Sequence, residues 1–261
     1  MTIAISWDGV DLDSDLGAVV TDLAEEQDST ARGIDRLQGR GVVLSEQVLG
    51  ARKFRLRGSI GGSSQSAHLT AISALQELFA RPGARLLVVD TTREARAFVS
   101  RPWRLVAKPG GFLVSDWEVE LTLLDPVFTA VQGTSSAQSV TGGTTLAFSI
   151  TNAGDAAAHW RAQITTGSTF SDTSFTIYND TAGRALRLAG FGLTTAELLA
   201  IDSREARVSQ ESGAWPDYNF GVEVIDGDFW LLDPGVNRLR VVCDDSVTLH
   251  VFWADAYWGA G

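Results

Sequence analysis

Residues 63–90, SSQSAHLTAISALQELFARPGARLLVVD, hold the segment whose periodicity specifies a helix and then a strand. On a helical wheel Leu69, Ile72, Leu75, Leu78 and Phe79 share one side, with Thr70, Ser73 and Glu77 opposite, so one face is built for burial. Ser64 or Ser66 can accept hydrogen bonds from the first free N–H groups. Arg81, Pro82 and Gly83 end the run with a cation, a missing donor and a flexible residue. Leu86–Val89 is then too short and too β-branched for a second helix and reads as a strand. Nearly everything else in the chain reads as strand and turn. The helix is therefore expected to cover a sheet face that would otherwise be wet.

Working outward, residues 2–7 alternate Ile3, Ile5 and Trp7 against Thr2, Ala4 and Ser6 and turn at Asp8-Gly9. A second strand is expected over 17–23, followed by a polar, glycine-punctuated loop or arm at 25–40. Strand character resumes at 42–49. Over 53–60, Phe54, Leu56 and Ile60 alternate with Lys53, Arg55 and Arg57. That cationic row is either a solvated face or a contact with acidic residues of another copy. After the helix, strands are expected at 95–100, 102–107 and 112–124. In the last, Trp117, Val119, Leu121 and Leu123 face inward while Glu118, Glu120 and Thr122 face out.

The composition then shifts. Residues 125–145, rich in Gly, Ser and Thr, have linker chemistry, and the boundary is placed between domains 1–132 and 133–261. In the second half short strands recur at 146–151, 160–165, 175–179, 185–188, 198–201, 206–209, 220–224, 229–232, 238–242 and 247–253. Turns such as Asn152–Gly154 and Asp233–Gly235 separate them, which gives a β-sandwich of jelly-roll type. The fold class is mainly β: an N-terminal β-sandwich with one covering helix, then a jelly roll.

With 261 residues, 44% of them hydrophobic and 20% charged, the chain has the composition of a soluble globular protein with room for two cores. No apolar run is long enough for a membrane span. The start MTIAISWDG lacks the basic and apolar regions of a secretion signal, so synthesis and retention in the cytoplasm are expected. The net charge of −11 argues against a surface that neutralises phosphates, and so against nucleic-acid recognition. Residues 1–130 carry 14 basic and 17 acidic side chains, and residues 131–261 carry 7 and 15. The two halves are thus suited to different surroundings.

No residue pattern points to catalysis. His68, His159 and His250 are isolated, Cys243 lies among apolar residues, and no nucleophile elbow is present. Glu118 and Glu120 stand side by side on a strand, whereas a glycosidase needs carboxylates across a cleft. Asp8, Asp11, Asp13 and Asp15 resemble a calcium loop only in part. Gly17 comes one place late and Asp22 stands where a bidentate Glu belongs, so an acidic turn is the simpler reading. No metal or cofactor is expected. Trp160, Trp230 and Trp253 sit in apolar strands as core. Trp215 lies in a loop beside Tyr218, where a glycan or a protein could be met.

The phrases FSITNAG (148–154), TIYN (176–179), LLAIDS (198–203) and FWLLDPGVN (229–237), then VFWADAYW (251–258), occur in the order found in the distal tail protein (Dit) family of siphovirus-type, long-tailed phages. The second half resembles that family closely and the first half in layout. The resemblance implies a homohexameric ring formed by the N-terminal domain, with a galectin-like C-terminal domain projecting outward. It also implies a non-enzymatic structural protein of the virion tail tip, assembled in the host cytoplasm. Its partners would be itself, the tail tube protein, the tail-associated hub or lysin protein and the tape measure protein. Arg55, Arg57, Glu118 and Glu120 are then the candidate intersubunit contacts. The alternative is a tail-tip adhesin that binds host glycans through Trp215 and Tyr218.

Overall fold

The computed structural model describes residues 3–35, 42–107, 113–125, 127–212, 215–217, 223–227 and 229–258. Side chains of residues 25–35, 42–51, 102–103, 107, 212, 215–217 and 223–226 lie outside that description. The chain forms two compact units, Met1–Val131 with Trp258–Gly261, and Gln132–Tyr257. The described residues are mainly β-strand, and all sheets pair antiparallel, with one helix.

The first unit contains β1 (Ile5–Trp7), β2 (Val10–Asp11), β3 (Ala18–Asp35), β4 (Val42–Gly61), α1 (Gln65–Ala80), β5 (Arg85–Val89), β6 (Arg93–Ala107), β7 (Val114–Leu123) and β8 (Phe128–Ala130). Its sheet runs β2-β1-β5-β6-β7-β4-β3, with β8 added beside β6. Ile3 N–H donates to Val20 O (3.2 Å) and Ala18 N–H to Leu12 O (2.7 Å), which ties the two ends of that path together.

Helix α1 starts where Ser64 Oγ accepts from Ala67 N–H (3.1 Å) and ends at Arg81, ahead of Pro82. Its buried residues are His68, Leu75, Leu78 and Phe79. The expected face was too wide: Leu69 is 56% exposed and Ile72 is half-buried. His68 takes the place of Leu69 because its Nε2 reaches Ser115 Oγ (3.1 Å), so a polar side chain is accommodated at the start of the contact. Phe79 lies between Trp7 (5.8 Å) and Trp117 (6.0 Å), and Phe54, Leu56, Ile60, Leu121 and Leu123 fill out the core. Gly58 is required here, since a Cβ would run into Val19 O and the Trp117 ring.

Two expectations are corrected in this unit. The polar stretch from 25 is not a loop as far as Asp35. It is the outer part of β3, which pairs with β4 along its length, while β4 pairs with β7 only from Lys53 to Gly61. A two-stranded ribbon has no covered face and leaves no alternation to read. Residues 36–41 lie outside the description. The strands expected at 95–100 and 102–107 are one, β6, which passes through Pro102 with register shifts between Val99/Arg101 and Arg101/Arg104. β5 pairs with β6 only as far as Ala97, so at Pro102 no described strand covers the other edge of β6.

The second unit contains β9 (Thr134–Val140), β10 (Thr144–Asn152), β11 (Trp160–Thr165), β12 (Phe170–Asn179), β13 (Arg184–Leu193), β14 (Glu197–Asp202), β15 (Arg207–Ser212), β16 (Trp215–Asp217), β17 (Glu223–Gly227), β18 (Gly235–Cys243), β19 (Val247–Trp253) and β20 (Ala256–Tyr257). One sheet is β10-β18-β12-β13-β17 and the other is β16-β15-β14-β11-β19-β9. Each buries alternate side chains: Ile150, Phe175, Ile177, Leu188 and Val241 from the first, and Trp160, Ile164, Ile201, Leu249 and Val251 from the second. The expected linker holds β8 and β9. β9 reads as linker because it is an edge strand with mostly polar side chains, and its backbone pairs with β19 from Val140↔Val247 to Thr134↔Trp253. The strand expected at 229–232 is only a bridge between Leu232 and Ala158, beside the Trp160–Trp230 stack (4.5 Å).

Three buried asparagines pin the turns. Asn152 donates to Ala156 O (2.7 Å) and Leu232 O (3.2 Å) and accepts from Gly154 N–H (3.1 Å) and Ala256 N–H (3.2 Å). Asn237 accepts from Asp233 N–H (3.0 Å) and donates to Asp233 O (2.8 Å), and Asn179 donates to Asn237 Oδ1 (3.2 Å). Asn179 also accepts from Thr181 and Ala182 N–H (both 3.1 Å).

Candidate assembly surface

The face of the first sheet away from α1 carries the charged residues singled out by sequence. Register places Asp22 (β3), Arg57 (β4), Glu118 (β7) and Arg104 (β6) opposite one another in one row. Ala24, Arg55, Glu120 and Arg101 form the next. Arg57 Nε donates to Glu118 Oε2 (2.9 Å), Arg55 Nε lies 3.4 Å from Glu118 Oε1, and Arg57 Nη1 lies 3.8 Å from Asp22. Arg101 Nη1 is 3.5 Å from Glu120 Oε2, and Ser100 Oγ donates to Glu120 Oε1 (3.2 Å). Arg55, Arg57, Glu118 and Glu120 are therefore brought together within one chain, and Glu120 and Thr122, expected to face solvent, are buried. A hollow of about 290 Å³ opens in this face between Thr21, Arg57, Arg104, Val106, Asp116 and Glu118. Sequence reasoning missed Asp22, Arg101 and Arg104. The signal was their position on strands adjoining the Arg55/Arg57 and Glu118/Glu120 rows, visible only once strand order is known.

The aspartate turn is tied up internally. Asp8 Oδ2 accepts from Arg81 Nη1 (3.0 Å) and lies 3.7 Å from Arg85 Nη1, which ties the β1–β2 turn to the end of the helix. Asp11 accepts from the N–H groups of Asp13 and Ser14 (both 2.9 Å), and Asp15 from that of Asp11 (2.9 Å). These carboxylates cap their own turn. Among the described residues no group of three or more His, Cys, Asp or Glu side chains could hold a metal ion, and no helix is long and apolar enough to cross a membrane.

In the second unit Trp215 lies in β16, its side chain outside the description, and Tyr218 is outside it altogether. Asp226 and Gly227 end β17 and Asp228 is not described; of the strand expected at 220–224, only 223 and 224 are. A groove of about 410 Å³ crosses the outer face of the larger sheet, floored by Ala200 and lined by Arg161, Gln163, Asp202, Arg207 and Phe252. Arg161 Nε donates to Asp202 Oδ2 (2.6 Å), and Asp202 Oδ1 accepts from Arg204 (2.9 Å) and Glu205 (3.2 Å) N–H. Burial pushes the Asp202 carboxyl up, but the N–H groups of Glu205 and Arg204 with the Arg161 guanidinium outweigh it and hold it below the usual aspartate range. Burial pushes the Cys243 thiol up, away from reactivity.

No family model matches the chain, and no curated protein matches it by sequence. Among solved structures, the Dit protein of phage SPP1, described as a paradigm of the hub adsorption apparatus in phages infecting Gram-positive bacteria, matches with a TM-score of 0.72 at 14% identity. The match covers 98% of this chain and 99% of that one. A chain of the phage P2 baseplate in its activated conformation with Ca matches with a TM-score of 0.49 at 8% identity, over 96% of this chain and 97% of that one. Across nearly its whole length, then, this chain has the fold of a phage distal tail protein.

Proposed function

We propose that this chain is a structural, non-enzymatic protein of a phage tail tip, of the distal tail type. Six copies close a ring through the domain at residues 1–132, and the domain at 133–261 is galectin-like. The ring joins the tail tube protein to the tail-associated hub or lysin protein, with the tape measure protein ending there. It is assembled in the host cytoplasm and carried in the virion. The observation that carries this reading is the fold shared with the SPP1 Dit protein over 98% of this chain and 99% of that one. The sheet of the first unit adds support: past Val20 its end strand β3 has an edge that no described strand covers. The test is the native mass of the full chain, with negative-stain images. A sixfold ring is expected, and a single copy throughout the micromolar range refutes it.

The second reading, an adhesin that meets host glycans, is favoured by the groove at Arg161, Gln163 and Phe252, which sets an aromatic edge beside planar hydrogen-bonding groups. A glycan array probed with the full chain tests it. Binding lost on Arg161→Ala would place the site there, and binding lost on Trp215→Ala or Tyr218→Ala would place it at the loop instead.

A further inference from the structure

The charged rows on the open face of the first sheet have unlike ends. Read across the strands from β3 to β6, one row runs Asp22, Arg57, Glu118, Arg104, alternating negative and positive. The next ends in Arg101, whose side chain is 70% exposed. Each inner charge has an opposite charge on a neighbouring strand, as Arg57 has Glu118 at 2.9 Å and Asp22 at 3.8 Å. The two ends each face outward on one side, and both lie on edges that no described strand covers. β3 ends the strand order, and past Val20 no described strand pairs with its outer edge. β6 has lost β5 beyond Ala97.

We propose that these two edges meet between copies of this chain. The Asp22 edge of one copy docks against the Arg101/Arg104 edge of the next, so that the alternation continues across the junction. The inference rests on the ring reading above and names the surfaces that close it. The occupant is a second copy because the two ends complement each other in charge. An edge that repeated its own charge would repel a two-fold mate, so the contact is head-to-tail, the kind that closes a ring or grows a filament. Pro102 removes a donor from the β6 edge and two register shifts interrupt it, so side-chain charge sets the register more than continuous backbone pairing does. Phe98 and Val106, both partly exposed on the same face of β6, supply apolar contact beside the cations. The earlier candidates Arg55, Arg57, Glu118 and Glu120 act as the interior of the ladder and hold its two ends in place.

The experiment uses full-length chains carrying Asp22→Arg or Arg104→Glu, with Glu77→Arg on the exposed side of the helix as control. Unchanged far-ultraviolet circular dichroism and melting establish that each variant folds. Native mass against concentration is then read for each variant alone and for an equimolar mixture of the two. Either reversal alone should move the midpoint of assembly at least about tenfold to higher concentration, because the defect is repeated at every junction. The mixture should recover assembly. The reversed β3 edge of one variant fits the reversed β6 edge of the other, and their unaltered edges also match, so copies alternate. Rings that survive each reversal unchanged would overturn the edge pairing while leaving the ring. A mixture that stays as dissociated as its components would overturn it too. A wild-type chain that is monomeric throughout would instead sink the ring reading itself.

Discussion

Replacing Asn152 by alanine tests the claim that buried amides, rather than loop length, hold the second unit's turns. Asn152 has no exposed surface and joins three separated points of the chain. Its loss strips Gly154 N–H and Ala256 N–H of the Asn152 Oδ1 acceptor and Ala156 O of its 2.7 Å donor, whereas Leu232 O still accepts from Ala158 N–H (2.9 Å). A buried donor left unpaired costs about 1–3 kcal/mol. One buried and one partly buried donor, with partial relaxation, give a loss of about 2–4 kcal/mol. The isosteric Asn152→Asp probes the same point by charge. A carboxylate would face Ala156 O and Leu232 O, so its folded pKa is raised above the unfolded value of about 4. The folded state then holds the proton more tightly, and this variant's stability falls as pH rises from about 4 toward the raised value. The assay is hydrogen exchange of the full chain through a urea series, read on peptides from residues 144–165 and from residues 50–100. The exposed neighbour Thr151→Ala should cost under about 1 kcal/mol. A loss below about 1 kcal/mol for Asn152→Ala, or an equal loss in the peptides from 50–100, would refute the reasoning.

Leu75→Ala should cost about 2–5 kcal/mol, because it opens a cavity between helix and sheet, whereas Leu69→Ala should cost well under 1 kcal/mol; thermal melts that rank them the other way would disprove the observed face. Gly58→Ala should destabilise the first unit by about 2 kcal/mol or more, since the added carbon meets backbone at Val19, and an unchanged melting temperature would count against that packing. Asp202 titrates below its unfolded value, so its contribution is full above about pH 4 and fades as pH falls through the lower folded value. Asp202→Asn should therefore lower stability at pH 7 and flatten the acid limb of the stability curve, and parallel curves for variant and wild type would contradict this.

What could be read from the sequence was whatever one-sided burial or turn chemistry writes locally. The alternation in β7 gave Trp117, Val119, Leu121 and Leu123 their common face, and the turn phrases around Asn152 and Asn237 marked real hydrogen-bonded corners. β9 and the outer part of β3 went unread because they are edge or ribbon strands. Their order lies in backbone pairing to distant partners, which leaves no hydrophobic rhythm. The helix face was misread at Leu69 because the wheel counts apolar residues, while His68 is held in by one hydrogen bond to Ser115 from another strand. The charged ladder failed for a related reason. Arg55 and Glu118 were visible as residues, but that their strands are neighbours, and that Asp22 and Arg104 flank them, is a property of strand order.

Strand order in the second unit also governs when it can form. β18 lies between β10 and β12, and β19 lies between β11 and β9, so in each sheet one inner strand is made after both strands that flank it. Thr134 pairs with Trp253, and Asn152 with Gly235. The first sheet cannot close on the ribosome until synthesis has passed residue 243, nor the second until it has passed residue 253, and closure then requires long-range pairing, the slow class of folding event. A chain cut short at residue 230 would leave β10 and β9 each detached from the rest of its sheet. Completion of the second unit therefore waits on its last long strands, which gives quality control a built-in criterion: chains cut within this unit expose the unpaired inner edges of its sheets, the kind of surface that chaperones and proteases recognise.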